Sequence, residues 1–337
     1  MKRNFCKDKN HMPKMDEPSL RILIITQGLS SIVEPLFNSK HTIVGVIESA
    51  ARNQKKHGFS SLIRKLVFGL SGYIFNSPSL KKYCSKKLIN YRFMFSSNDQ
   101  HLEDFVHTSN PDVIVVYSMS QLLKSNIYNL PRLGTINLHP SYLPDYRGPN
   151  PDFWQYYDCE LSPGVTIHFI DDGEDTGDII YQDRINIPLG TKSPDRSQKL
   201  VRELGITLLM KTLDALLSNS APRISQPKNS PTVRARNLKP SEHGDLIKWD
   251  DWSVDRIWHT LRGTEQWLNA IEQPRGLHYG QRWTVENFEL MATPNHTPGK
   301  IYKENGKTFL VCRDGIINLS SSFNTKMLIR KLILPMI

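Results

Sequence analysis

Asn137 and His139 stand two residues apart where the apolar run Thr135–Leu138 enters a loop rich in proline and glycine, GTINLHPSYLPDYRGPNPDFW. Side chains two apart on a strand point the same way, so this amide and imidazole share a face. Such a pair can donate to a carbonyl oxygen and carry a proton. Farther on, GVTIHFIDDGEDTGDII leads from a second apolar strand into a carboxylate-rich turn, Asp171 to Asp178. One of those acids could orient the imidazole from across a cleft.

Several elements must hold these groups in place. Short apolar runs at Leu20–Thr26, Thr42–Ile47 and Pro111–Tyr117 read as interior parallel strands, with helices expected at Ser31–Phe37 and Asp99–Thr108. Strand, helix, strand in that order builds an α/β fold with a doubly wound parallel sheet, whose ligands sit at the carboxyl ends of strands. Gly28 is isolated and makes no dinucleotide fingerprint. After Asp178 the pattern predicts a hairpin-like pair, Ile179–Gln182 with Arg184–Pro188, and a long amphipathic helix at Ser197–Leu217. A Pro/Ser/Asn-rich stretch, Ser218–Val233, is expected to separate this unit (20–217) from a second (234–325). There, Trp283–Met291, Gly299–Tyr302, Phe309–Arg313 and Gly315–Leu319 read as turn-separated strands.

The chain has 337 residues, 39% of them hydrophobic, and a net charge of +10; its mean hydropathy is −0.42. No apolar run reaches the ~18 residues a membrane span needs. Residues 1–19 read as a mobile basic tail without a signal peptide's apolar centre. Cys6, Cys84, Cys159 and Cys312 lack metal-ligand spacing, so a reducing cytoplasm is expected, with neither disulfide nor metal. The charge is uneven. Between Ser49 and Asn98 there is no acid, and Arg52, Lys55, Lys56, Arg64, Lys65, Lys81, Lys82, Lys86, Lys87 and Arg92 equal the whole excess. Arg52–Phe95 reads as helical, a basic insertion (52–98) suited to an anionic partner: nucleotide, tRNA or membrane surface. Its Leu-Ile-Arg-Lys-Leu at Leu62–Leu66 recurs at Leu328–Leu332, in an apolar and basic tail (326–337).

N-x-H-P-S-x-L-P-x-Y-R-G, then G-V-T-I-H and a D-T-G-D turn, resembles the folate-dependent formyltransferase superfamily. The resemblance implies a Rossmann-like core, N10-formyltetrahydrofolate as co-substrate and a catalytic trio at Asn137, His139 and Asp175, with Asp178 as the competing acid. It further implies that Ser120, Gln121, Leu122 and Leu123 line the pterin pocket. Ser141, Tyr142, Leu143 and Pro144 would shape the loop beside the folate, near Asp171 and Asp172. His168, on the GVTIH strand, reads as structural. Asp245–Trp249, Ser253–Arg262 and Trp267 resemble the start of a methionyl-tRNA formyltransferase C-terminal domain, where a short strand and helix precede a small β-barrel. Homodimers occur among such enzymes.

Acceptor identity must come from outside the trio. After YRG the methionyl-tRNA enzymes carry an alanine-rich step, whereas this chain has the bulky Pro149-Asn150-Pro151-Asp152-Phe153-Trp154. The first strand-to-helix turn departs as well, with Gln27-Gly28-Leu29 in place of a Gly-Thr-Pro. Arg147, Pro149, Asn150 and Trp154 are therefore expected to meet a nucleotide-linked amino sugar, Trp154 by stacking on a sugar face. That places the chain in bacterial surface-polysaccharide biosynthesis. Methionyl-tRNA formylation is the alternative, favoured by the basic excess; a non-catalytic folate- or membrane-surface-binding protein is the third reading.

Overall fold

The computed structural model describes residues 18–50, 79–264, 267–274, 281–292 and 296–323. Five parallel strands form most of one sheet: β1 (Arg21–Thr26), β2 (Thr42–Ser49), β3 (Tyr91–Met94), β4 (Val113–Tyr117) and β5 (Thr135–His139). β6 (Gly164–Phe169) and β7 (Ile179–Arg184) extend it antiparallel, giving the order β3-β2-β1-β4-β5-β6-β7. The near-continuous apolar character of β1 and β4 reflects cover on both faces. Ile22 and Ile24 pack with Leu209 and Leu213 of the helix Ile206–Leu217, and Leu23 and Ile25 with Leu102 and Val106 of the helix His101–Ser109.

The sheet is thus mixed rather than all parallel. A parallel step requires a crossover element packed on the sheet. Between β5 and β6 the helix Pro151–Tyr157 instead turns away, and Phe153 and Trp154 enter a separate apolar core with Trp252, Ile257 and Leu261. β6 therefore returns antiparallel. The expected hairpin after Asp178 is a single strand, β7, paired to β6; beyond it the N–H groups of Ile185 and Ile187 donate to the carbonyls of Pro163 and Leu161. The Ser197–Leu217 helix contains a π-helical stretch, Gln198–Gly205, ahead of the α-helix Ile206–Leu217. Of the region read as helical, the described part holds a helix, Leu80–Lys86, and then edge strand β3. The remaining basic segment, the repeated pentapeptides at 62–66 and 328–332 and the tails lie outside the described residues.

The second sheet contains β8 (Gln281–Leu290), β9 (Ile301–Glu304), β10 (Lys307–Cys312) and β11 (Gly315–Phe323), antiparallel in the order β8-β11-β10-β9. Among the described residues β8 and β9 are its edges. Asp245–Trp249 is not a strand; a 3-10 turn, Pro240–Asp245, precedes it. The helix Val254–Gly263 lays Val254, Ile257 and Leu261 against this sheet. Ser218–Val233 is not a loose tether. Ile179 and Ile224 exchange two backbone hydrogen bonds, 2.8 and 2.9 Å, and Gln226 donates to the carbonyls of Asp175 and Gly177. Among the described residues no helix is long and apolar enough to cross a membrane.

Candidate active site

β5 alternates as its sequence requires. Ile136 and Leu138 enter the apolar core, and Asn137 and His139 take the opposite face at the strand's carboxyl end. The acid turn, held by Gln226, brings Asp175 to them. Asp175 Oδ1 lies 3.6 Å from His139 Nδ1, 3.6 Å from His168 Nε2 and 3.4 Å from Asn137 Nδ2. Its Oδ2 accepts the Gly148 N–H at 2.9 Å. Three residues around this carboxylate hold left-handed backbone: Tyr146 (φ 56), Gly148 (φ 125) and Asp175 (φ 56). Such conformations are costly for non-glycine residues and persist where surrounding contacts over-determine them. Position 148 has a second reason for glycine, since a Cβ there would come to 2.9 Å of the Ala235 carbonyl oxygen.

The hydrogen-bond partners assign the tautomers. His139 Nε2–H donates to the Tyr146 carbonyl at 3.1 Å, leaving Nδ1 toward Asp175. His168 Nδ1–H donates to the Phe169 carbonyl at 2.8 Å, so its Nε2 accepts from the Asn137 amide at 3.1 Å. The other Asn137 contact, to Asp175, is long at 3.4 Å and correspondingly weak. That hydrogen can be redirected. Burial lowers the pKa of His139 from its ordinary value, outweighing the pull of Asp175; the imidazole is a neutral base near pH 7. For Asp175 burial pushes upward, but His139, charged at the low pH where this acid titrates, with the His168 contact and the Gly148 N–H, holds it well below the usual carboxylate range. It remains ionised.

These groups face a cavity of about 760 Å³, in the range of small-molecule sites. Ser118–Lys124 forms one wall, and Asn137, His139, Gly148–Asp152 and parts of His168–Asp175 form the other. Ser120, Gln121, Leu122, Leu123, Pro149, Asn150 and Asp171 line it. Ser120 Oγ donates to Gln27 Oε1 at 3.1 Å and Gln121 Nε2 to the Phe95 carbonyl at 3.1 Å.

The other expected contacts lie elsewhere. Ser141 and Leu143 are fully buried beneath the loop, where Ser141 Oγ donates to the Asp145 carbonyl and Leu143 N–H to Thr166 Oγ1. Tyr142 lies under the Arg184 guanidinium, 4.1 Å away, and the Pro144 carbonyl accepts from Ser230. Asp172 Oδ1 accepts the Tyr128 hydroxyl at 2.6 Å outside the cavity. Arg147 is buried, its guanidinium donating to Gln226 Oε1 and to the carbonyls of Pro227 and Lys228. It anchors the segment after Ser218 rather than an anion. Trp154 is also buried, with its indole N–H donated to the Arg236 carbonyl at 2.8 Å and its ring edge-on to Phe153. Asp178 is 3.7 Å from Arg223 and takes a bond from Ser225, so Asp175 is the acid that meets the pair on β5. His168, read as structural, touches both Asn137 and Asp175. Asp152, Glu174, Lys124 and Arg234 line the cavity too; Glu174 was visible in the acid turn, whereas nothing in the spacing of Arg234 points there. Among the described residues no cluster of three or more His, Cys, Asp or Glu side chains could hold a metal ion.

The sequence profile of the formyl transferase family matches residues 64–213. A methionyl-tRNA formyltransferase from Lachnospira eligens is 31% identical over 225 residues, 66% of this chain and 70% of that protein. Among solved structures, an N-formyltransferase of Helicobacter canadensis, in complex with folinic acid and dTDP-3-aminofucose, superposes with a TM-score of 0.57 at 16% identity, covering 90% of this chain and 100% of that one. HypX of Aquifex aeolicus, in complex with tetrahydrofolic acid, gives 0.55 at 12% identity, over 91% of this chain and 45% of its own; the chain spans about half the length of HypX. These two likenesses concern the fold. The sequence match to a relative over most of that relative's length carries more, and by it the chain belongs to the formyl transferase family, enzymes of one-carbon group transfer.

Proposed function

We propose that this chain moves a formyl group from N10-formyltetrahydrofolate to the amine of a nucleotide-linked amino sugar, with Asn137, His139 and Asp175 as its catalytic residues. The observation that carries the reading is the convergence of amide, imidazole and ionised carboxylate at one cavity. The cavity suits such a donor: Val116, Met119, Leu122 and Leu123 supply an apolar ledge beside a row of polar groups. When bound, the donor supplies an activated formyl carbon. His139, neutral in the free site, accepts a proton from the attacking amine through the Nδ1 that faces Asp175. The resulting imidazolium is stabilised by Asp175 and can return the proton to the leaving nitrogen. Asn137 redirects its loosely held hydrogen to the transferred carbonyl oxygen as charge develops there; a donor in that role is typically worth ~3 kcal/mol of barrier.

Three features support an amino-sugar acceptor. The cavity matches small molecules in size. Pro149 and Asn150, from the step that departs from the tRNA enzymes, form part of its wall. The chain's fold, over 90% of its length, also resembles that of an N-formyltransferase in complex with a nucleotide-linked amino sugar. The second reading, methionyl-tRNA as acceptor, is favoured by the Lachnospira eligens relative and by exposed Lys81, Lys82, Lys86 and Lys87 around the helix Leu80–Lys86. Incubation with formyl donor and either charged initiator tRNA or a panel of nucleotide-linked amino sugars separates the two. Faster formylation of the tRNA would overturn the amino-sugar assignment. We further propose that residues 20–217 and 234–325 are two domains, the helix Pro151–Tyr157 of the first packed into the core of the second, joined by a segment that also braces the acid turn.

A further inference from the structure

Arg234 lines the same cavity as Asn137, His139 and Asp175, yet neither proton transfer nor charge stabilisation at the formyl carbon uses a guanidinium. Its Nη2 donates to Glu174 Oε1 at 2.7 Å and its Nε to Glu174 Oε2, a two-pronged pair with the residue adjoining Asp175. The backbone determines where this arginine stands. The Ala235 N–H donates to the Arg147 carbonyl at 2.8 Å, and the Ala235 carbonyl accepts from the Asn150 N–H at 2.9 Å. Between those contacts lies Gly148, whose N–H binds Asp175. Arg234 is therefore tied to the loop that holds the ionised carboxylate, while its side chain is 56% exposed at the cavity mouth. An ion pair that exposed adds little to stability. A guanidinium fork that fits a carboxylate fits a phosphate equally well.

We propose that Arg234 sets acceptor specificity by binding a phosphate of the acceptor's diphosphate, and that Glu174 holds the fork in place until the acceptor displaces it. This rests on the nucleotide-linked amino-sugar reading given above. Glu174 then acts against acceptor binding twice, as a competitor for the guanidinium and as a negative charge beside the phosphate. Removing it strengthens diphosphate binding.

The test measures KM for a nucleoside-diphosphate-linked amino sugar, for the methyl glycoside of the same amino sugar and for the formyl donor, in wild type, Arg234→Gln, Arg234→Lys and Glu174→Gln. Calorimetry with the nucleoside diphosphate alone reads binding without turnover. In Arg234→Gln the KM for the nucleotide-linked sugar rises about tenfold or more, the loss of one charge-assisted two-pronged contact, and diphosphate binding weakens in step. KM for the methyl glycoside and for the formyl donor moves less than about twofold on the same scale. Arg234→Lys, which keeps the charge without the fork, recovers part of the loss. Glu174→Gln binds the diphosphate more tightly, whereas a purely structural ion pair would give losses of one sign in both variants. The assignment is overturned by an unchanged KM in Arg234→Gln, by a rise shared with the methyl glycoside, or by one confined to the formyl donor. Wild-type enzyme that ignores the sugars and formylates charged tRNA removes the acceptor reading and this assignment together. Wild-type turnover of the nucleotide-linked sugar, matched by Arg234→Gln, removes this assignment alone.

Discussion

The two walls of the cavity are built on opposite plans. On the inner wall, polar side chains already have partners: Asp175 with Gly148, His139 with Tyr146, His168 with Phe169. The backbone around them is held at positive φ at Tyr146, Gly148 and Asp175. The outer wall, Ser118–Lys124, is irregular chain between β4 and the helix Ser125–Tyr128, and its Leu122 is 59% exposed. The inner wall is thus organised before any ligand arrives, and preorganised dipoles need no rearrangement at the moment of reaction. On the outer wall Leu122 offers apolar surface that only a bound ligand would cover.

The sharpest way to break this contrast is to remove an inner-wall side chain. His139→Ala and Asn137→Ala should each lower turnover by at least ~100-fold, with the circular dichroism of the folded protein retained. Near-normal rates in single-turnover assays of either variant would strip that residue of its role and leave the inner wall as mere scaffolding. Behind the wall, Trp154 provides the next test. Buried against Phe153 with its N–H on Arg236, it should cost about 3 kcal/mol or more of unfolding free energy as Trp154→Ala, read from urea denaturation. A variant of undiminished stability whose acceptor KM rises instead would return the indole to the sugar.

Protonation gives a third, smaller effect. Because burial lowers the His139 pKa, the acid limb of kcat/KM should fall below the ordinary histidine value of about 6.5. The stability consequence has a definite sign. A histidine with a depressed folded pKa lets the unfolded chain bind protons first as pH drops below about 6.5, so stability is lost with falling pH, by up to ~1.4 kcal/mol per unit for each such group. His259, pushed down to about 4 by burial and then by Arg196, acts in the same direction. Asp175, depressed in the fold, continues the loss at still lower pH. Denaturation at several pH values should show this slope between about 6.5 and 4, flattened in His259→Gln. A level profile there would mean that neither ring is held neutral by the fold.

The inner wall was legible in the sequence because its information is local. Strand alternation places Asn137 and His139 on one face, and an acid turn is visible as composition. β1, β2, β4 and β5 are visible as apolar runs. What the sequence concealed depends on contacts distant along the chain. Trp154 reads as a binding platform until Ile257 and Leu261 are seen to share its core. Arg147 reads as an anion ligand until the carbonyls of Pro227 and Lys228 meet it. The antiparallel turn at β6 follows from the same helix, Pro151–Tyr157, leaving the sheet. A segment named as a linker on composition, Ser218–Val233, supplies Gln226 to the turn that positions Asp175. β3 lay hidden in basic sequence because an edge strand with one buried residue, Met94, carries almost no apolar pattern.

The smallest effect addresses the outer wall directly. Leu122 is mostly exposed, so Leu122→Ala should leave stability within ~0.5 kcal/mol of wild type. If this residue is a ledge for the formyl donor, the same change removes about 1 kcal/mol of apolar contact from the complex, a roughly fivefold rise in donor KM. Turnover at saturating donor should hold, since the contact is equally present before and during the chemical step and so leaves the barrier from the bound state unchanged. A fall in stability with donor KM unmoved would show that the outer wall is packed in the free protein after all, and the contrast between the two walls would disappear.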